Sequence, residues 1–198
     1  MLTKNRRAFI LGTAGTLAMP AILTFSRAGA QTQPAGNQPL TIARAIAADQ
    51  RLTRFAALLG RTGADRKLAE DGQWTVFAPT DAAFNWLPGP LVDSLENRRG
   101  ADNASVDSSR TESVALQHIV AFRHASSELS GHTEEFKALN GGRLSVNGQQ
   151  NPMLVSTLST PGVLSAPGAN MPGPAKIVAA DNFASNGVLH IVDNVLLP

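Results

Sequence analysis

Alternating apolar and polar residues in the middle of the chain predict a short strand that leads directly into a helix. Residues 74–78 read WTVFA, an alternation typical of a β-strand. Pro79 should end this strand, because proline has no N–H to donate to a sheet. Thr80 or Asp81 should then accept from the first free N–H groups of a helix that carries Phe84. The pattern favours a capping role for Asp81 over a catalytic one.

Helical spacing of apolar residues predicts three further helices. The first begins after Thr41, which can cap it. The second contains the apolar side of residues 52–59 and closes at Gly60. The third, residues 112–120 (ESVALQHIV), begins after a Thr111 cap. We expect the apolar side of each helix to face the core.

The end of the chain predicts a β-hairpin. Ile177 and Val178 start one strand, and Asn186-Gly187 is a strong signal for the turn. The return strand, residues 188–193, is largely apolar on both faces, so it should be central and buried. A further short strand is predicted at Arg143–Val146, between glycines.

Three polar or proline-rich stretches predict irregular structure. Residues 31–39 are a polar spacer that we interpret as a linker. Residues 96–110 contain almost no apolar side chain and predict an exposed loop. Residues 152–174 hold five prolines and three glycines without periodicity. They predict a long insertion loop.

The first thirty residues predict a removable signal peptide. Arg6 and Arg7 precede an apolar run that ends near Phe25 and is interrupted by glycine and proline. A small-residue cleavage pattern, residues 28–30, follows. The adjacent arginines resemble a twin-arginine signal, whereas an uncleaved N-terminal anchor is the alternative. We therefore expect a mature chain without a transmembrane segment, located in the periplasm or secreted from a bacterium.

Charge and composition narrow the function. The full chain has 17 basic and 15 acidic residues and no cysteine or tyrosine. Four of the basic residues and none of the acidic ones lie in residues 1–30, which leaves 13 basic against 15 acidic. The mature chain is thus slightly acidic, and a nucleic-acid partner is not expected. Disulfides and cysteine metal sites are excluded.

Candidate chemistry is sparse. His118 and His190 lie in segments that the fold should bring together, so they could share a metal ion in a hydrolase. The helical i, i+4 ligand spacing is missing, however, which favours hydrogen-bonded core histidines. No serine lies in a nucleophile elbow, and His190 and Asp193 should face opposite sides of their strand. We therefore predict no enzymatic activity, catalytic residue, metal or cofactor.

Four aromatic residues suggest one alternative function. Trp74, Phe77, Phe84 and Trp86 surround the first strand–helix junction. Such residues usually belong to a core, but here they could also line a site for an apolar small molecule such as a lipid or pigment. A carrier of such a ligand is therefore the alternative to a macromolecular binding module.

Three stretches taken together resemble the fasciclin domain family. They are TVFAPTDAAF (residues 75–84), LQHIV (residues 116–120) and the hairpin that begins at Ile177. Their order and spacing match that family over residues 40–198. The resemblance implies an α+β domain in which helices pack on a wedge of strands. It assigns structural roles to the motif positions Thr75, Phe77, Pro79, Thr80, Asp81, Phe84, Asp181, Asn186, Gly187, His190 and Asp193.

The same resemblance implies a function in adhesion. Family members typically bind matrix, polysaccharide or cell-surface partners and are not enzymes. Many relatives have a Tyr-His pair where this chain has Gln117-His118, a region linked to receptor contact. We therefore expect binding near Gln117 and His118 and at the exposed loops, whereas Trp74 and Trp86 are the candidate binding residues of the carrier alternative. The expected partner is a surface or matrix polymer or protein.

Overall fold

The computed structural model describes residues 40–96, 104–158 and 173–198. The predicted signal peptide and linker lie outside these residues. The helices are α1 (Ile42–Ala48), α2 (Thr53–Thr62), α3 (Ala64–Ala69), α4 (Gly89–Leu95), α5 (Ala104–Gln117) and α6 (Ser126–Leu129). A short 3-10 turn covers Ala83–Trp86. The strands are β1 (Trp74–Pro79), β2 (Ile119–Ala121), β3 (Thr133–Lys137), β4 (Arg143–Asn147), β5 (Leu154–Leu158), β6 (Ala175–Ala184) and β7 (Gly187–Val192).

The seven described strands form one bent sheet in the order β2-β1-β7-β6-β5-β4-β3. Strands β1 and β7 are parallel, and the other neighbouring pairs are antiparallel. The two ends of the sheet meet at a bridge between Val120 and Ala138. The sheet therefore folds round into a wedge, and the α+β architecture expected from the sequence is confirmed.

Two apolar cores lie on the opposite faces of β1 and β7. One joins Val76 and Leu189 to the helices, including Phe55 of α2. The other fills the wedge and includes Phe77 and Phe136. Because side chains alternate across a strand, β1 and β7 contribute to both cores.

Strand β7 is central, as its sequence predicted. It lies between β1 and β6, and all six of its residues are buried. The two turn residues are Ser185 and Asn186, because Ala184 pairs with Gly187. Gly187 is needed for close packing, since a Cβ there would lie 2.0 Å from the carbonyl oxygen of Trp74. The hairpin is confirmed, with its turn one residue earlier than Asn186-Gly187.

The predicted third helix is wrong at both ends. Helix α5 begins at Ala104, so Thr111 lies inside a helix and part of the predicted 96–110 loop is helical. The helix ends at Gln117, and Ile119–Ala121 forms β2. Pairing of this segment with β1 explains the change, because backbone bonds to a neighbouring strand override local helical spacing.

Other boundaries also differ from the sequence pattern. Helix α2 ends at Thr62 and is capped by Gly63, whose φ of 73° is left-handed, rather than closing at Gly60. The predicted 152–174 loop contains β5, which pairs with β4, whereas its residues 159–172 lie outside the described ranges. In the described parts of the chain, no helix combines the length and apolar character needed to cross a membrane.

Candidate functional site

Two side chains of the strand motifs cap helices. Asp81 follows β1 and accepts from the Arg54 N–H (2.8 Å) and the Thr53 hydroxyl (2.6 Å). It therefore caps the start of α2. Among the described residues, no side chain caps the 3-10 turn that carries Phe84. The prediction that Asp81 caps the helix carrying Phe84 was therefore wrong, because Asp81 caps α2 instead. Thr80 contributes its carbonyl oxygen to that turn, accepting from the Ala83 N–H at 2.9 Å.

Asn186 connects the final hairpin to two helices. Its Oδ1 accepts from the first N–H of α1, at Ile42 (2.9 Å). Its Nδ2 donates to the carbonyl oxygens of Leu68 (2.7 Å) and Glu70 (3.0 Å) at the end of α3. Thr41 occupies the N-cap position of α1, but its own side chain makes no cap bond there. The cap predicted for Thr41 is therefore supplied by Asn186, a distant residue.

A chain segment, residues 122–126, crosses the sheet and is held by three motif residues. The Thr75 hydroxyl donates to the Phe122 carbonyl oxygen (2.8 Å) and accepts from the His124 N–H (2.9 Å). Asp181 accepts from the Ser126 N–H (2.7 Å) and from the Ser126 hydroxyl. His190 donates through Nε2 to the His124 carbonyl oxygen (2.9 Å). These polar groups fix the backbone of the crossing segment.

His190 is a buried neutral imidazole. Because Nε2 donates to a carbonyl oxygen, Nδ1 is free to accept from the Asp181 N–H at 3.3 Å. Its ring also stacks on Phe77 with centroids 5.5 Å apart. Burial lowers the pKa of His190. Both nitrogens are engaged in protein hydrogen bonds, so neither is available to a metal.

His118 has the same character with the opposite tautomer. Nδ1 donates to the Val114 carbonyl oxygen (2.7 Å), and Nε2 accepts from the Leu196 N–H (3.0 Å). The ring is fully buried beside Phe55, and burial lowers its pKa to about 4. Within the described ranges, no group of three or more His, Cys, Asp or Glu side chains could hold a metal ion. The geometry therefore fits the core-histidine interpretation.

Gln117 is fully buried, and neither end of its amide has a hydrogen-bond partner among the residues that the structure describes. Its Oε1 lies against Gly142, where an added Cβ would be 2.2 Å away. Neither Gln117 nor His118 reaches the surface in this structure. Their predicted role in binding remains a prediction, and it would have to act through the backbone that they position.

The four aromatic residues near the first strand do not form one cluster. Trp74 starts β1 and packs against the helical core, as does Phe84, whereas Phe77 lies in the wedge core. Trp86 lies beyond the other end of β1 and is 76% exposed. The fold thus separates the residues that suggested a small-molecule site.

An open cleft of about 530 Å³ lies where α2, the 3-10 turn and α4 meet, and Trp86 is not among the residues that line it. It is lined by residues that include Arg54, Phe84, Asn85, Leu87, Val92 and Asp93, and we call it the Arg54 cleft. The Arg54 guanidinium lies 4.9 Å above the centroid of the Phe84 ring. It also donates to Glu96 Oε1 (2.5 Å) and Asn85 Oδ1 (3.0 Å). The Arg54 side chain is therefore held in place in the cleft, and its positive charge is paired with Glu96.

A second exposed surface was not foreseen from the sequence. Phe122 is 70% exposed and Phe183 is 62% exposed. Arg123, which follows Phe122, donates to the carbonyl oxygens of Ala184 (3.2 Å) and Ser185. We call Phe122, Arg123 and Phe183 the Phe122 surface. Its only sequence signal is a phenylalanine at two of these positions, and burial is the usual expectation for that residue type.

Comparison with known proteins decides the family. The family model described as Fasciclin domain matches residues 50–198. The chain belongs to the fasciclin domain family. The resemblance seen in the sequence is thereby confirmed, and the wedge and its helices constitute a fasciclin domain.

Individual relatives share only low sequence identity with this chain. Protein sll1483 of Synechocystis is 26% identical over 96% of this chain and 91% of its own length. The cell surface glycolipoprotein MPB83 of Mycobacterium bovis is 27% identical over 74% of this chain and 54% of its own length. A solved FAS1 domain pair from the insect cell adhesion molecule fasciclin I is 20% identical with a TM-score of 0.47. That match covers 74% of this chain and 45% of the pair.

Proposed function

We propose that this fasciclin domain is an exported, non-catalytic binding module that attaches to a cell-surface or matrix polymer or protein. Export is supported by the signal-like residues 1–30 and by a relative named as a cell surface glycolipoprotein. The non-catalytic role is supported by the motif side chains. Thr75, Asp181 and His190 use their polar atoms to hold backbone.

One observation carries the proposal: large aromatic side chains are exposed on backbone that is held in place. Phe122 is the strongest case, because its φ of 67° is left-handed, a conformation unfavourable for a bulky residue. Its exposed ring receives little packing in return. Left-handed strain at a bulky residue clusters at functional positions, and aromatic and arginine side chains are enriched at protein–protein interfaces.

The carrier alternative finds no comparable support. It depends on an aromatic cluster at one junction, and the fold places Trp74, Phe77 and Trp86 in three different environments. A hydrolase that uses His118 and His190 finds none either, because the nitrogens of both rings are already hydrogen-bonded. We therefore propose only the adhesion function.

The test is retention of purified residues 31–198 on cell envelopes and polysaccharide fractions of the organism that exports the protein. A triple variant, Trp86→Ala, Phe122→Ala and Phe183→Ala, is compared with the parent chain. Because the three side chains are exposed, the variant should remain folded, which circular dichroism checks. We expect strong retention of the parent and loss of retention in the variant. Absence of retention of the parent on every fraction would refute the proposal.

A further inference from the structure

The two pieces of chain that carry the Phe122 surface are tied together in two places. Phe122 lies on the crossing segment, and Phe183 lies on β6. Arg123 makes the first tie, because its guanidinium donates to the carbonyl oxygen at the end of β6 (3.2 Å). Asp181 makes the second tie, because its carboxylate accepts from the Ser126 N–H (2.7 Å) and the Ser126 hydroxyl. The separation of the two exposed rings therefore depends on Asp181 keeping Ser126 as its partner.

Asp181 lies on an irregular part of β6, directly beside His190. The pairing of β6 with β7 shifts register between Ala179 and Asn182. Within this bulge Asp181 has a φ of 57°, a left-handed conformation that aspartate adopts more readily than most residues. The Asp181 N–H is thereby brought to within 3.3 Å of His190 Nδ1. Asp181 thus contacts the buried ring through its backbone and the crossing segment through its carboxylate.

Only a neutral His190 ring fits this arrangement. Nδ1 must accept from the Asp181 N–H, while Nε2 donates to the His124 carbonyl oxygen (2.9 Å). A proton on Nδ1 would place two donors face to face and would leave the new Nδ1–H without an acceptor. A buried charged donor without a partner costs more free energy than an ordinary lost hydrogen bond. The protonated ring therefore needs a new acceptor within reach.

The groups that face His190 include one such acceptor. From β1, Phe77 offers only its ring. From the crossing segment, His124 is a second titratable group, and its positive charge opposes a proton on His190. From β6, the Asp181 carboxylate has the opposite sign and favours the protonated ring. Although partial burial opposes the shift, hydrogen bonds from Ser126 lower the pKa of Asp181, so this carboxylate stays ionised where histidine titrates.

We infer that Asp181 and His190 form an acid-operated switch of the Phe122 surface, an inference whose effect on binding rests on the proposed adhesion function. When the His190 ring takes up a proton from water, the Asp181 carboxylate leaves Ser126 and accepts from the new Nδ1–H. The crossing segment then keeps its tie at Arg123 and loses its tie at Ser126. The two exposed phenylalanines lose their fixed separation, and the domain releases its partner. One carboxylate with two alternative partners is a bistable element of the kind that histidine pH sensors use.

The experiment follows residues 31–198 through a series of pH values between 7.5 and 4. NMR measures the hydrogen-exchange protection of the Ser126 amide and titrates the His190 ring, and retention on envelopes of the exporting organism is measured at each pH. The variant His190→Gln can still donate to the His124 carbonyl oxygen but does not titrate. Asp181→Asn can still accept from Ser126 but carries no charge. The matched control is His132→Gln, which removes an exposed histidine.

We expect the Ser126 amide of the parent to lose about 10-fold or more of its exchange protection in acid, while the amides of β7 keep theirs. Retention should fall over the same pH range. His190→Gln should abolish both changes. Asp181→Asn should move them about one pH unit lower, because the protonated ring loses an attractive charge. His132→Gln should leave both changes as they are in the parent.

Three results would overturn the switch and leave adhesion standing. One is a Ser126 amide that loses protection only when the whole domain unfolds. Another is a local transition that persists in His190→Gln. If that variant does not fold, a transition that Asp181→Asn does not shift is the third. Failure of the parent to be retained at any pH refutes the adhesion function instead, and the NMR measurements still decide whether the switch exists.

Discussion

Acidification should destabilise the fold through His118. The folded domain holds this imidazole neutral, because Nε2 must accept the Leu196 N–H and the ring is wholly buried. Its pKa is about 4 in the folded state, whereas the ordinary value for histidine is 6.5. Between these values the unfolded chain binds a proton that the folded chain excludes. Stability from this group is therefore complete above pH 6.5 and is lost as pH falls toward 4.

The size of the effect follows from the two pKa values. A His118 pKa lowered from 6.5 to about 4 corresponds to a loss of about 3 kcal/mol of unfolding free energy once the pH has fallen to about 4. Small domains are stable by only about 5–15 kcal/mol, so a loss of this size is readily measured. His190 contributes in the same direction, since burial lowers its pKa as well.

Urea denaturation of residues 31–198 at a series of pH values between 7.5 and 4 measures the loss. The matched variant is His118→Gln, which can still accept from Leu196 but does not titrate. The difference between the two pH profiles isolates His118 from His190 and from the carboxylates. We expect the parent to lose about 3 kcal/mol more than the variant across the window.

Two results would refute this reasoning. Parallel pH profiles for the parent and His118→Gln would show that His118 is not linked to folding. If the variant does not fold, the ring is titrated directly by NMR in the parent chain. A His118 pKa near the ordinary 6.5 in the folded state would contradict a buried neutral imidazole.

Three substitutions, each followed by urea denaturation, test helix capping by Asn186 and Asp81 and the burial of Gln117. Asn186→Ala should lower the free energy of unfolding by about 2–4 kcal/mol, because it removes three hydrogen bonds, two of them buried. A loss below about 1 kcal/mol would contradict its bridging role. Asp81→Ala should lower the free energy of unfolding by about 1–2 kcal/mol, because α2 loses its cap. No change would mean that another group caps α2. Gln117→Met should raise the free energy of unfolding by about 1–2 kcal/mol, because it replaces a buried amide that has no hydrogen-bond partner among the described residues. A clear loss of stability would indicate that the Gln117 amide does form hydrogen bonds in the folded protein.

The strands that the sequence predicted best are those whose environment is apolar on both sides. Residues 188–192 are largely apolar on both faces, which is typical of a strand buried on both sides. Strand β7 is indeed central and buried. Asp81 was predicted as a cap from its residue type, but its helix is 27 residues earlier in the chain. A local pattern identifies the group that can accept a hydrogen bond, whereas the donor depends on tertiary packing.

Elements that depend on distant partners could not be read from local patterns. Residues 118–120 continue a helical spacing, yet pairing with β1 makes Ile119–Ala121 a strand. Polar residues 104–110 form part of α5, although they lack the apolar stripe that marks an amphipathic helix. Phe122 and Phe183 became candidates for binding only when the structure showed them exposed.

Attachment to whole cells tests the central claim most directly. Beads coated with residues 31–198 are allowed to settle on cells of the exporting organism, and the force needed to detach them is measured. Beads with the Trp86→Ala, Phe122→Ala, Phe183→Ala variant serve as the comparison. The account predicts firm attachment of the parent beads and little attachment of the variant beads. Equal attachment of both, or of neither, would contradict the claim that these exposed aromatic side chains make the domain an adhesive module.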